Sequence, residues 1–190
     1  TTENDNTLQW VRISDNPDID ETETEVLYTS LNHAREPTSM QQLIFYMWYL
    51  LENYATDTEV KAIVDNTELY FIPVVNPDGY LFNELTNPSG GGFWRKNRRN
   101  NGAGTFGVDN NRNFDYHING NASNGSWGGP GSSSSTNSEI YHGTSPFSEV
   151  ENQAIKSFVE QHDFIIAMNN HSFGELIYFP FGYANVATPD

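Results

Sequence analysis

Cysteine is absent from all 190 residues, so no disulfide, thiolate metal site or cysteine nucleophile is available. Basic residues are scarce. Nine Lys and Arg stand against 25 Asp and Glu, a formal net charge of -16. Such a field repels a polyanion unless a basic patch overrides it, which argues against a nucleic-acid partner. No apolar run approaches the ~20 residues needed to span a bilayer, which argues against membrane insertion. The opening Thr1-Thr2-Glu3-Asn4-Asp5 is polar and acidic, unlike a signal peptide. What is present suffices for one domain with a core, since 36% of residues are hydrophobic and 14% aromatic. The few cations are gathered: Arg95, Lys96, Arg98, Arg99 and Arg112 fall in one stretch, the pattern expected of an anion site.

Buried strands are expected at Glu25–Asn32, Leu69–Val75 and Phe164–Met168, with a fourth at Leu176–Phe179. Pro37 opens a helix over Thr38–Tyr54, whose aromatic cluster Phe45, Tyr46, Trp48 and Tyr49 reads as core packing. A shorter helix is expected at Thr58–Val64, and Asn76-Pro-Asp-Gly79 reads as a turn. Asn119–Ser138 reads as low-complexity linker, and Ser148-Glu-Val-Glu151 as a capping box opening a helix to about Gln161. Strands alternating with helices give an α/β class, with a mixed, largely parallel sheet flanked by helices. His33, Asn76–Asp78 and His171 each follow a strand, so three distant loops can meet beyond the carboxyl ends of the sheet.

His33-Ala-Arg-Glu36 offers two ligand side chains three residues apart, a pattern that alone marks no site. His171 adds a third at another strand end. Two His and one Glu form the ligand set of hydrolytic zinc sites, which leave a fourth position open. Imidazole with one carboxylate favours zinc over calcium or magnesium. His117, His142 and His162 read as ordinary histidines.

Further motifs stand in order along the chain: Asn76-Pro-Asp-Gly79, Trp94-Arg-Lys96, Gly107-Val-Asp-Asn-Asn-Arg-Asn113, Tyr141-His-Gly143 and Asn170-His-Ser172, the last followed by Tyr178-x-Pro-x-Gly-Tyr183. With His33-Ala-Arg-Glu36 they resemble the landmarks of the zinc metallocarboxypeptidases of the pancreatic A and B type, including secreted bacterial members. The resemblance runs from His33 to Tyr183 and implies a zinc carboxypeptidase-like (phosphorylase/hydrolase-like) fold. It implies one Zn2+ held by His33, Glu36 and His171, with Asp109 orienting His33. It further implies that Asn111 and Arg112 grip the terminal carboxylate of a peptide or protein, that Arg95 stabilises the oxyanion, and that Arg35 contacts residues further up the peptide. The family's general-base Glu, its flexible Tyr and its specificity-pocket residue would fall beyond Asp190. Residues 1–190 are therefore expected to be one partial catalytic domain, incomplete at both ends. The alternative is a non-catalytic zinc module that binds peptide C-termini. Family resemblance and acidity together suggest a secreted protein, and an uncovered sheet edge would favour self-association.

Overall fold

The computed structural model describes residues 4–117 and 124–179. In chain order the elements are β1 (Val11–Ile13), β2 (Thr24–Ser30), α1 (Pro37–Asn53), α2 (Thr58–Val64), β3 (Thr67–Ile72), α3 (Pro77–Thr86), β4 (Asn100–Gly102), β5 (Thr105–Phe106), a 3-10 turn (Asn110–Arg112), α4 (Val150–Val159) and β6 (Phe164–Asn170). The central sheet has the order β1-β3-β2-β6, and β4 pairs with β5 in a separate hairpin. β2 runs parallel to β3 and β6, and β1 lies antiparallel to β3. The α/β class and the largely parallel sheet follow the sequence expectation.

Alternation along β2 and β3 divides the core into two layers. Ile13, Val26, Leu69 and Phe71 face α1 and α2, meeting Leu43, Leu50, Val60 and Val64. Leu27, Tyr70 and Ile72 face the other way, meeting Val75 and Ile155 of α4. β2 and β3 are therefore covered on both sides, as in a mainly parallel sheet, whereas β6, expected as a buried strand, lies at the sheet edge with Ile165, Ile166 and Met168 exposed. Pro37 starts α1 without losing a useful amide. Asp57 caps α2 by accepting from Glu59 N at 2.8 Å.

Several expectations are corrected. Asn76-Pro-Asp-Gly79 is the start of α3: the Asn76 side chain accepts from Gly79 N at 3.0 Å, and Pro77 occupies the first turn. The Ser148–Glu151 capping box does not form. Glu149 is the cap residue of α4, Ser148 Oγ donates instead to Glu149, and Glu151 is buried. Leu176–Phe179 joins no sheet and its side chains are exposed. Of the α1 aromatics only Tyr46 packs on the core; Phe45, Trp48 and Tyr49 are exposed. The stretch expected as linker is ordered from residue 124 on, with bridges His117–Gly125 and Ser133–Tyr141. Its first part, and the Tyr178–Tyr183 motif from Pro180 onward, lie outside the described residues.

Glu151 sets a pH dependence. Its carboxyl is pushed up to about 7, by burial first and then by the charges of Glu149 and Asp78, against the hydrogen bonds that would lower it. Between about 4.5 and 7 the folded chain holds a proton that the unfolded chain has released, so stability falls as pH rises through that window and levels off above it. At about 1.4 kcal/mol per unit the effect reaches up to about 3 kcal/mol. Urea unfolding at pH 5 and pH 8 checks this: Glu151→Gln should gain stability over the parent at pH 8 and not at pH 5.

Candidate metal centre

The carboxyl end of β2 is bent into the site. Leu31 is fully buried at φ 54°, a left-handed conformation that turns the chain out of the strand. The segment is then tied down: Ala34 N donates to Arg95 O at 2.9 Å, and Asn76 Nδ2 donates to Asn32 O at 3.1 Å. Glu36 occupies the cap position of α1, yet its side chain makes no cap bond. It points instead at two imidazoles, with Oε1 2.8 Å from His33 Nδ1 and Oε2 2.7 Å from His171 Nδ1. The ligand atoms of His33, Glu36 and His171 all lie within 4.8 Å of one another. Two imidazole nitrogens and one carboxylate so placed fit a tetrahedral zinc ion with its fourth position open.

Asp109 lies behind this triad with no exposed surface. Its Oδ1 faces His33 Nε2 at 3.1 Å and accepts from Asn111 N at 3.0 Å. Its Oδ2 accepts from Arg95 Nε at 3.2 Å and Nη2 at 2.8 Å. Burial would raise the Asp109 carboxyl pKa. The His33 bond and the nearby charges of His33 and Arg95 outweigh it and hold the group below the ordinary range. Burial likewise opposes ionised Glu36, but its bonds to His171 and His33 bring its pKa well down. Burial would lower the His33 pKa, and its bonds to Asp109 and Glu36 raise it instead.

The second half of the site rides on the 107–113 loop. Gly107 takes φ 81° there, and a Cβ would sit 2.6 Å from Asn97 O. Asn97 accepts from Val108 N at 2.7 Å through its side chain and donates to Glu149 at 2.7 Å, lashing the Trp94–Lys96 loop to this one. Asn111 Nδ2 lies 3.3 Å from His171 Nε2. Arg112 donates to Gly131 O and to Asn111 O, leaving Nη2 without an acceptor among the described residues.

The structure thus brings His33, Glu36, His171, Asp109, Arg95 and Asn111 together, with Arg112 next in the chain. Arg35 stands apart, 3.2 Å from Glu139, on a cleft of about 570 Å³ also lined by Tyr80, Glu84 and Phe93. The cation cluster is mostly taken up internally. Arg99 pairs with Glu149, Lys96 donates to Thr136 O, and Arg98 stacks 3.7 Å from the Phe82 ring centre and 4.4 Å from that of Trp94. Sequence reasoning missed Asn169, which lies 3.2 Å from His171 Nε2 and accepts from Asn32 and Thr29. Its only signal was its place two residues before His171 on the last strand.

The zinc carboxypeptidase family pattern matches residues 1–190. The chain belongs to the zinc carboxypeptidases. It is 37% identical to carboxypeptidase A2 of Rattus norvegicus over 153 residues, covering 80% of this chain and 34% of that protein. The crystal structure of the carboxypeptidase A from Helicoverpa armigera superposes with a TM-score of 0.72 at 31% identity, over 91% of this chain and 39% of that one. Thrombin activatable fibrinolysis inhibitor superposes with a TM-score of 0.82 at 27% identity, over all of this chain and 44% of that one. The chain spans about a third of the length of the curated carboxypeptidases it matches. As a zinc carboxypeptidase sequence it carries His33 and Glu36 on the segment after β2 and His171 just past β6, brought to one point.

Removing the Asp109 carboxylate should leave Arg95 and the Asn111 amide without their acceptor. Asp109→Ala is expected to cost about 3–5 kcal/mol. Chemical denaturation measures it, and a loss under 1 kcal/mol would mean that Asp109 is not the post on which these loops hang.

Proposed function

We propose that this chain is part of one catalytic domain of a zinc-dependent carboxypeptidase, a secreted hydrolase that removes the last residue of peptides or proteins. The observation that carries the reading is Arg112. Six of the nine Lys and Arg side chains pair with a carboxylate, and Lys96 and Arg98 lie over aromatic rings. Arg112 has neither kind of partner among the described residues, in a chain of net charge -16, and it follows Asn111 beside the His33–Glu36–His171 triad. An arginine left without a counter-ion there suits a carboxylate brought by substrate.

In this reading His33, Glu36 and His171 hold one zinc ion. When bound, zinc supplies Lewis acidity toward a carbonyl and lowers the pKa of a water toward ~7. Asp109 fixes the His33 imidazole through Nε2–H and so keeps Nδ1 turned inward. Arg112 offers the planar fork that a carboxylate accepts with two bonds, and Asn111 adds an amide at the same end. Arg95, anchored on Asp109 through Nε and Nη2, keeps Nη1 for the charge that grows on the carbonyl oxygen under attack. Arg35, on its cleft, meets residues further from the chain end. An internal peptide segment brings no carboxylate to Arg112, which makes the chemistry exopeptidic. A non-catalytic module for C-termini would use the same residues, and turnover tells the two apart. The acidity of the chain, with the family, supports an extracellular setting. β6 is a sheet edge bearing exposed Ile165, Ile166 and Met168, which supports self-association.

Three measurements test this. Blocked dipeptides with a free carboxylate should bind the zinc-loaded chain, and their carboxamides should bind about 10- to 100-fold more weakly, a difference that Arg112→Ala abolishes. Equal binding of acid and amide would sink the reading; chelator-sensitive release of the last residue would establish turnover. Asp109→Asn should weaken zinc about 10- to 100-fold in competition with a chromophoric chelator. Light scattering should show association that grows with concentration, and a monomer throughout counts against the β6 edge.

A further inference from the structure

The segment that carries His33 and Glu36 serves two places at once. His33 and Glu36 turn to the metal position, while Ala34, Arg35 and Pro37, between and after them, line the cleft of about 570 Å³. The opposite wall is α3 and the chain that follows it, with Tyr80, Glu84, Pro88 and Phe93 on the lining. Asn83 fixes that wall: its Nδ2 donates to Trp94 O and its Oδ1 accepts from Trp94 N, both at 2.9 Å. Phe93 is thereby held beside α3 with its ring 79% exposed, two residues before Arg95. The two walls are joined where Ala34 N donates to Arg95 O at 2.9 Å. Gly90 and Gly91 make the rim at φ 91° and 85°, and no heavy atom lies within 4 Å of where a Cβ would stand on either. The cleft is therefore open to solvent over bare backbone.

Two lining residues are charged, and only one of them is matched. Arg35 is spent on Glu139 at 3.2 Å and on Phe93 O. Glu84 is exposed on α3 and accepts from the Tyr80 hydroxyl, but no cation pairs with it among the described residues. That bond first, then burial and the charge of Glu84, raise the Tyr80 pKa. Apolar surface from Pro37, Pro88 and Phe93 with one unmatched carboxylate suits a side chain with an apolar stem and a cationic head. The exposed Phe93 face adds attraction for the same head. An acidic side chain meets repulsion there, and a neutral one leaves Glu84 without a counter-ion. We propose that this cleft is a specificity subsite for a lysine or arginine side chain upstream of the bond to be cut, and that Glu84 selects it. The proposal rests on the carboxypeptidase reading, in which Arg112 takes the chain end and Arg35 lies further along the peptide. The net charge of -16 draws cationic peptides toward the same face.

The test uses the zinc-loaded chain and blocked tetrapeptides with a free carboxylate. Lysine, norleucine and glutamate are placed in turn at each of the three positions before the last residue, and affinity is measured by titration calorimetry. At one position lysine should bind about three- to tenfold more tightly than norleucine, and glutamate more weakly than both. Glu84→Gln should bring the lysine-to-norleucine ratio to about one. Glu84→Lys should reverse the order of lysine and glutamate, a gain that only a folded chain can give. No preference for lysine at any position overturns the proposal. So does a preference that survives Glu84→Gln, since the field of the whole acidic chain would then be its source. Each peptide is also measured as its carboxamide. A persisting acid-to-carboxamide ratio with no lysine gain sinks the cleft proposal alone; loss of that ratio sinks the terminal-carboxylate reading, and the Glu84-dependent lysine gain still decides the cleft.

Discussion

The site is organised by one buried carboxylate. Asp109 has two oxygens and four partners: one oxygen serves the His33 ring and the Asn111 amide, the other two nitrogens of Arg95. These partners come from three places in the chain, the end of β2, the Trp94–Lys96 loop and the 3-10 turn itself. A charge with no exposed surface is tolerable only when surrounded by donors. The demand of Asp109 for donors therefore fixes the distance between the imidazole and the guanidinium. Its own backbone is bonded as well, with N donating to Tyr141 O and O accepting from Arg112 N. Every group assigned a part in metal, oxyanion or carboxylate recognition, apart from Arg35, lies on Asp109, beside one of its partners, or on the triad in front of it.

How far the fold could be read follows from what each element needs. β2 and β3 are buried enough to be written as apolar runs, β6 is written the same way although it lies exposed at the sheet edge, and α2 falls on Thr58–Val64 as its pattern implies. β1 is only three residues long, too short for any periodicity to announce it. α3 was hidden because Asn-Pro-Asp-Gly is turn chemistry and cap chemistry alike; what decides is the Asn76 side chain reaching Gly79 N. The capping box failed for a similar reason. Ser148 is occupied by Asn113 at 2.9 Å, and Glu151 is drawn inward toward Asn97, so neither is free for the helix end. The exposed aromatics of α1 show that composition tells how apolar a helix is, not which of its faces is covered.

The site was legible to the extent that it depends on residue type. Imidazole and carboxylate are the ligands available to a chain without cysteine, and their motif could be found. Asn97 and Asn169 could not, because an asparagine becomes a positioning residue only through where the fold puts it. The clustered cations misled in the opposite way. Arg98 and Arg99 answer to rings and to Glu149, a structural use that sequence proximity to Arg95 and Arg112 concealed.

The two sides of the molecule differ in what they hide from water. Around the sheet it is apolar surface, from Leu50 to Phe71. Around the 97–113 segment it is Asn97, Asp109, Asn110, Asn113, Glu149, Glu151 and Asn152, all buried and polar. Hydration of exposed apolar surface raises the heat capacity of unfolding, whereas hydration of exposed polar surface lowers it. The layer that carries the site therefore adds little to that heat capacity. Its free energy bends less with temperature than that of the sheet and helices, and it rests on enthalpy at temperatures where theirs is still largely entropic.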